Sequence, residues 1–109
     1  KDVIIRGGQT IYPKELENLL VEHPKVLEAV LVRMPDPEMG ERACAFVVPK
    51  KGQVITFEEM DSFFKARQVA FYKIPELLEL VEELPLVPGG NKVNKRQLED
   101  ELKARLTTE

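Results

Sequence analysis

Several things are scarce in this chain of 109 residues: it has no tryptophan, one cysteine, one histidine, and only 6% aromatic residues. A lone Cys44 excludes a disulfide framework within the chain. Its setting, Ala43-Cys44-Ala45-Phe46-Val47-Val48, reads as a small buried hydrophobe and not as a nucleophile. His23 has no Cys or His companions, so a metal site is a poor reading; its place before Pro24 suits a helix end. No leader pattern is visible and no apolar run approaches the roughly 20 residues that span a bilayer. No membrane span is expected, and a reducing, cytoplasmic compartment is the default. Positive charge is not in excess either, with 16 Lys and Arg against 19 Asp and Glu and a net charge of −3. Such a surface offers no overall field to a nucleic-acid backbone. Arg6-Gly7-Gly8 is one copy of a tripeptide seen in RNA-binding tracts and reads better as the turn that ends a strand.

What is present, 43% apolar and 32% charged residues, fits one compact domain with one small core. At that size an enclosed active site is hard to build, and a site shared with another domain is easier. Lys1-Asp2-Val3-Ile4-Ile5 starts in a strand-like segment without an initiator Met, which predicts a piece of a longer protein. Val3 to Ile5 is a short β segment closed by Gly7-Gly8. Pro13 suits the first helical position, and Leu16, Leu19 and Leu20 predict a helix over 13–22. Val26 to Arg33 and Ala43 to Val48 predict paired antiparallel strands around the turn-forming stretch from Pro35 to Gly40. Thr56 with Glu59 is a capping-box pattern ahead of Phe57, Met60, Phe63 and Phe64, which predict a second helix over 57–67. Leu77 to Val81 is a third strand candidate. Asn94 with Gln97 repeats the cap, and Leu98, Leu102 and Leu106 give a last helix placed at the domain's edge. The expected class is α+β: an antiparallel sheet of about three strands plus the short N-terminal segment, packed with about three helices.

Chemistry concentrates between Leu84 and Asn94. Gly89 and Gly90 allow close backbone approach to a ligand, and Lys92 carries a positive charge on a flexible stem that suits an anionic oxygen. Composition alone favours a solvated linker lysine. A P-loop does not fit, since Val93 follows Lys92 where a Mg²⁺-binding Ser or Thr is required. Tyr72 and Lys73 before Ile74-Pro75 suit either stacking on a base and holding a phosphate, or the closing of the second helix.

Residues in several segments then match one known pattern in order. They include Asp2-Val3-Ile4-Ile5-Arg6-Gly7-Gly8, Ile11-Tyr12-Pro13-Lys14-Glu15-Leu16-Glu17, Glu28-Ala29-Val30, Pro35-Asp36, Gly40-Glu41 and Ala45-Phe46-Val47-Val48. Tyr72-Lys73-Ile74-Pro75, Leu84-Pro85 and Lys92-Val93-Asn94-Lys95-Arg96-Gln97-Leu98 complete the series. Across nearly its whole length the chain resembles the C-terminal domain of the AMP-forming acyl-CoA synthetases, a superfamily that includes aryl-CoA ligases, carrier-protein adenylation domains and luciferases.

The resemblance implies that residues 1–109 form the C-terminal lid of a larger ligase, inactive alone. The whole enzyme would use ATP, Mg²⁺ and a carboxylic acid to make an acyl-adenylate, then pass the acyl group to CoA. It implies Lys92 as the catalytic lysine of adenylation, a hinge at Lys1 and Asp2, and a thiol tunnel beside Gly7 and Gly8. Tyr72 and Lys73 fall where some members meet the nucleotide of CoA. Two alternatives stay open: a domain that loads a carrier-protein thiol, and a non-catalytic interaction module. Asn91 departs from the glycine usual before the lysine, and the loop is one residue longer, with its glycines at 89 and 90.

Overall fold

A computed structural model describes residues 2–107. The chain opens with a hairpin, β1 (Ile4–Arg6) and β2 (Gln9–Ile11), whose closing pair is Arg6 with Gln9. Gly7 and Gly8 form its two-residue turn at φ of 54° and 85°. Positive φ at both central positions gives a turn whose twist matches that of paired strands. β2 was not expected from the sequence, although a Gly-Gly pair is a hairpin signal; at three residues the strand is too short to show a period.

α1 (Pro13–Leu20) begins with proline in its first turn. It ends short of the expected residue 22, where Glu22 N and His23 N donate to the Leu19 and Leu20 carbonyls, both at 3.0 Å, and in the loop beyond, His23 Nδ1 accepts the Lys25 N–H at 3.0 Å. β3 (Val26–Asp36) and β4 (Gly40–Pro49) pair antiparallel, somewhat longer than expected. α2 (Phe57–Ala66) carries the full reciprocal box, with Glu59 N donating to Thr56 Oγ1 and Thr56 N donating to the Glu59 carboxylate. A 3-10 turn (Phe71–Lys73) leads to β5 (Leu77–Leu80), and α3 (Lys95–Thr107) closes the chain. At α3 only half of the expected box forms: Gln97 N donates to Asn94 Oδ1 at 3.1 Å, while the Gln97 side chain turns to Glu101.

The class is α+β as expected, and the sheet is larger: five strands in the order β2-β1-β4-β3, with β5 also on β4. β3 fills one edge of β4. β1 meets the other edge at Gly40, and β5 continues along it, parallel to Cys44 through Val47. The parallel sense follows from the long crossover through α2, which carries the chain from Pro49 back to the end of the sheet where β4 begins, so that Leu77 enters beside Cys44.

Two expectations are corrected together. The interior is not one core but two apolar clusters, one on each sheet face. Leu31, Ala45 and Val47 pack with Leu16, Leu20, Met60 and Phe64 under α1 and α2. Val30, Val32, Cys44 and Phe46 pack with Leu84, Leu98 and Leu102 under α3. Neighbouring residues of a strand point to opposite faces, so an unbroken apolar run needs cover on both. α3 is that second cover and not an edge helix; of its expected stripe only Leu106, 45% exposed, is left out.

Candidate functional site

The loop that carries Lys92 is built as a small closed hairpin. Leu86 and Val93 form an antiparallel bridge, Val87 N donates to Lys92 O at 2.8 Å, and Asn94 N donates to Pro85 O at 2.7 Å. At the tip Gly90 N donates to Val87 O, with Gly89 at φ 75°. Proline then a positive-φ glycine at the two corners is the pattern of a type II turn. Pro88 and Gly89 thus make the bend, and Asn91 and Lys92 return from it. The backbone of Lys92 is tied while its side chain is exposed, and its ammonium has no hydrogen-bond or ion-pair partner among the described residues.

Lys92 and Asp2, expected at the lysine and hinge positions, come together on one open groove of about 740 Å³ that also includes Glu17, Lys95 and Arg96. Lys1, the other hinge residue, lies outside the described residues. Lys95 spans this groove. Its Nζ donates to Asp2 Oδ2 at 2.7 Å and to Glu17 Oε2 at 2.6 Å, and Glu17 Oε2 also accepts the backbone N–H of Leu31 at 2.9 Å. Arg33 forms a two-pronged pair with Glu99, whose hydrogen bond is the main reason the guanidinium's pKa is raised. Lys14 and Arg96 on the same groove are, like Lys92, without a partner among the described residues.

The Gly7-Gly8 turn lies elsewhere and is held by residues from β4 and the turn before it. Ile5 N donates to the Glu41 carboxylate, and Gly7 N to Met39 O, both at 2.8 Å. A Cβ on Gly7 would stand 2.7 Å from Met39 Sδ, whereas one on Gly8 would meet nothing within 4 Å. Glu76 sits where β1 and β5 meet along β4 and binds both Arg6, at 2.8 Å, and Arg42. Arg42 continues to Asp36 at 2.7 Å, and Asp36 in turn accepts the N–H groups of Glu38 and Met39. Burial works to raise the Glu76 pKa, but the Arg6 hydrogen bond and the charges of Arg6 and Arg42 prevail and hold it below the usual carboxylate range. The Arg42 hydrogen bond lowers Asp36.

Beside this turn the 3-10 segment divides its side chains. Tyr72 is half-buried against the α1/α2 cluster, and Lys73 pairs with Glu15 at 3.4 Å. The ring free to meet a ligand is Phe71, 77% exposed and 5.6 Å from the Arg6 guanidinium. Nothing in the residue pattern marks which ring the turn exposes. Cys44 is fully buried, and desolvation raises its thiol pKa to about 12, which leaves no thiolate for chemistry near neutral pH. Among the described residues no helix is long and apolar enough to cross a membrane.

The five-stranded α+β fold with an exposed lysine loop is the form of a known domain. The chain belongs to the AMP-binding enzyme C-terminal domain family, which matches residues 15–91. It is 42% identical over 108 residues to the medium-chain fatty-acid–CoA ligase of Escherichia coli (strain K12), covering 98% of this chain and 19% of that protein. It is 45% identical over 101 residues to the long-chain-fatty-acid–CoA ligase of Bacillus subtilis (strain 168), covering 93% of this chain and 18% of the relative. ATP-bound MatB from Rhodopseudomonas palustris superposes with a TM-score of 0.87 at 33% identity, over 94% of this chain and 20% of that one. The chain thus spans about a fifth of the length of the curated relatives it matches. The family match stops at Asn91, one residue before Lys92, whereas the Escherichia coli alignment covers 98% of the chain.

Proposed function

We propose that this chain is the mobile C-terminal domain of an acid-thiol ligase that converts a carboxylic acid and ATP to an acyl-adenylate and then transfers the acyl group to CoA. The observation that carries this is the state of Lys92: a tied backbone, an exposed ammonium, no partner among the described residues, in a chain whose relatives include fatty-acid–CoA ligases. Lys92 supplies charge where the acyl carboxylate attacks the α-phosphate. The attack adds negative charge at phosphorus, and a cation already in place, with water excluded by closure, lowers the barrier without reorganisation.

ATP and the acid are held mainly by the N-terminal domain of the same enzyme. Bound with the ATP phosphates, Mg²⁺ would supply neutralising charge there; among the described residues no group of three His, Cys, Asp or Glu is placed to hold a metal ion. After pyrophosphate leaves, rotation about Lys1 and Asp2 brings the Gly7-Gly8 turn to the thiol tunnel. The open space around Gly8 supports that role, since a side chain there would project outward into an approaching pantetheine. The exposed Phe71, and Lys73 on giving up its pair with Glu15, are the groups of the 3-10 turn that would meet the nucleotide of CoA, with Tyr72 behind them. A cytoplasmic setting suits the unpaired Cys44.

In the full-length enzyme, Lys92→Ala should slow ATP–pyrophosphate exchange by on the order of 10²-fold or more. Thioester formation from supplied acyl-adenylate should stay near the wild-type rate. Equal losses in the two half-reactions would remove Lys92 from the adenylation step.

A further inference from the structure

Lys95 lies one turn after Lys92 and is partly covered, its side chain 23% exposed between Glu17 at 12% and Asp2 at 55%. Holding one ammonium between two carboxylates costs side-chain freedom and, on the Glu17 side, desolvation. Here the pairing joins distant parts of the chain. Asp2 belongs to the first described residues, Glu17 to α1, and Glu17 is itself fixed to β3 through the Leu31 N–H. Lys95 N also donates to Val93 O at 3.1 Å, so the start of α3 and the end of the Lys92 loop are one short rigid piece.

We propose that Lys95 is a positioning residue for Lys92: its clasp on Asp2 and Glu17 sets where the loop stands relative to the hinge side of the domain. The loop and the segment beside the hinge then move as one body when the domain rotates, so Lys92 arrives in register. The Lys95 charge is also engaged by Asp2 and Glu17, so it does not compete with Lys92 for an anionic substrate three residues away. This positioning role rests on the part assigned to Lys92 in adenylation.

The test uses the full-length enzyme and both half-reactions. Lys95→Met should lower the kcat of pyrophosphate exchange by on the order of tenfold, as expected for a small displacement of a charge that acts by placement. The KM for ATP and thioester formation from supplied adenylate should change by less than about twofold. Lys95→Arg, which can keep both ion pairs, should restore most of the exchange. Asp2→Asn removes the outer end of the clasp without stranding a buried ion, and should give a smaller loss in the same half-reaction. In a Lys92→Ala background, Lys95→Met should add nothing to the residual exchange, because a residue acting only through another is non-additive with it. Equal losses in both half-reactions, or a multiplied loss in the Lys92→Ala background, would overturn the positioning role. If Lys92→Ala slows exchange while Lys95→Met and Asp2→Asn leave it at the wild-type rate, the inference fails and the function of Lys92 stands. Exchange unaffected by Lys92→Ala would instead end the functional reading itself.

Discussion

The Gly7-Gly8 turn and the Lys92 loop are both short, glycine-bearing bends, and they differ in what holds them beyond their own backbone pairing. Around the first, distant parts of the chain add to the β1–β2 pairing: Arg6, Arg42, Glu76 and Asp36 form a continuous chain of ion pairs behind the hairpin, and the Glu41 carboxylate and the Met39 carbonyl accept from its backbone. Around the second, the backbone holds itself through the Val87–Lys92 and Pro85–Asn94 hydrogen bonds, and the side chain that matters is left loose. The difference matches what each is proposed to do. A passage for a thiol needs an absence kept in place, so the surroundings must be stiff. A lysine that must reach an anion in one pose and leave in the next needs a fixed root and a free tip.

Within the first bend the largest expected effect is on Gly8. Gly8→Leu should slow thioester formation in the full-length enzyme at least tenfold, as a misplaced thiol loses orientation, and should spare pyrophosphate exchange; unchanged thiolation would take Gly8 out of the tunnel. Gly7→Ala should destabilise the chain by about 2 kcal/mol, combining a left-handed backbone with displacement of Met39. Met39→Ala should relieve part of that in a thermal-unfolding cycle. Gly8→Ala and Gly89→Ala form a matched pair, since both positions have positive φ, 85° and 75°, and open space around the missing Cβ. Each should cost about 1 kcal/mol. If one costs far more than the other, the contrast between a clamped and a self-held turn has another origin.

The smallest effect is that of acid on the clamp. Asp36 and Glu76 both titrate below their ordinary values in the folded chain. Their contribution is therefore complete above the unfolded values, about 3.9 for Asp and 4.3 for Glu, and is lost as pH falls through the folded ones. The thermal midpoint should decline below about pH 4, and Glu76→Gln should make that decline shallower. A midpoint with the same acid slope in both proteins would show that Glu76 carries none of it.

Much of this was legible in the sequence because it is local. The Thr56–Glu59 box, the proline at the head of α1, the Gly7-Gly8 turn and the lysine loop each lie within a few residues. Even the second cover over the sheet could have been inferred, since Ala43 through Val48 shows no polar alternation and a one-faced strand would. The clamp and the clasp could not. Arg6 meets Glu76 across 70 positions and Lys95 meets Asp2 across 93, and a charge on a half-polar surface carries no mark of its partner. Tyr72 and Phe71 illustrate the same limit, because the rotation of a single 3-10 turn decides which ring is buried.

Whether the two bends serve different half-reactions is decided by single-turnover adenylation and single-turnover thiolation, run side by side on Lys92→Ala and Gly8→Leu of the full-length enzyme. A crossed result is expected, with Lys92→Ala slow only in the first and Gly8→Leu slow only in the second. Two variants slowed in the same half-reaction would contradict it.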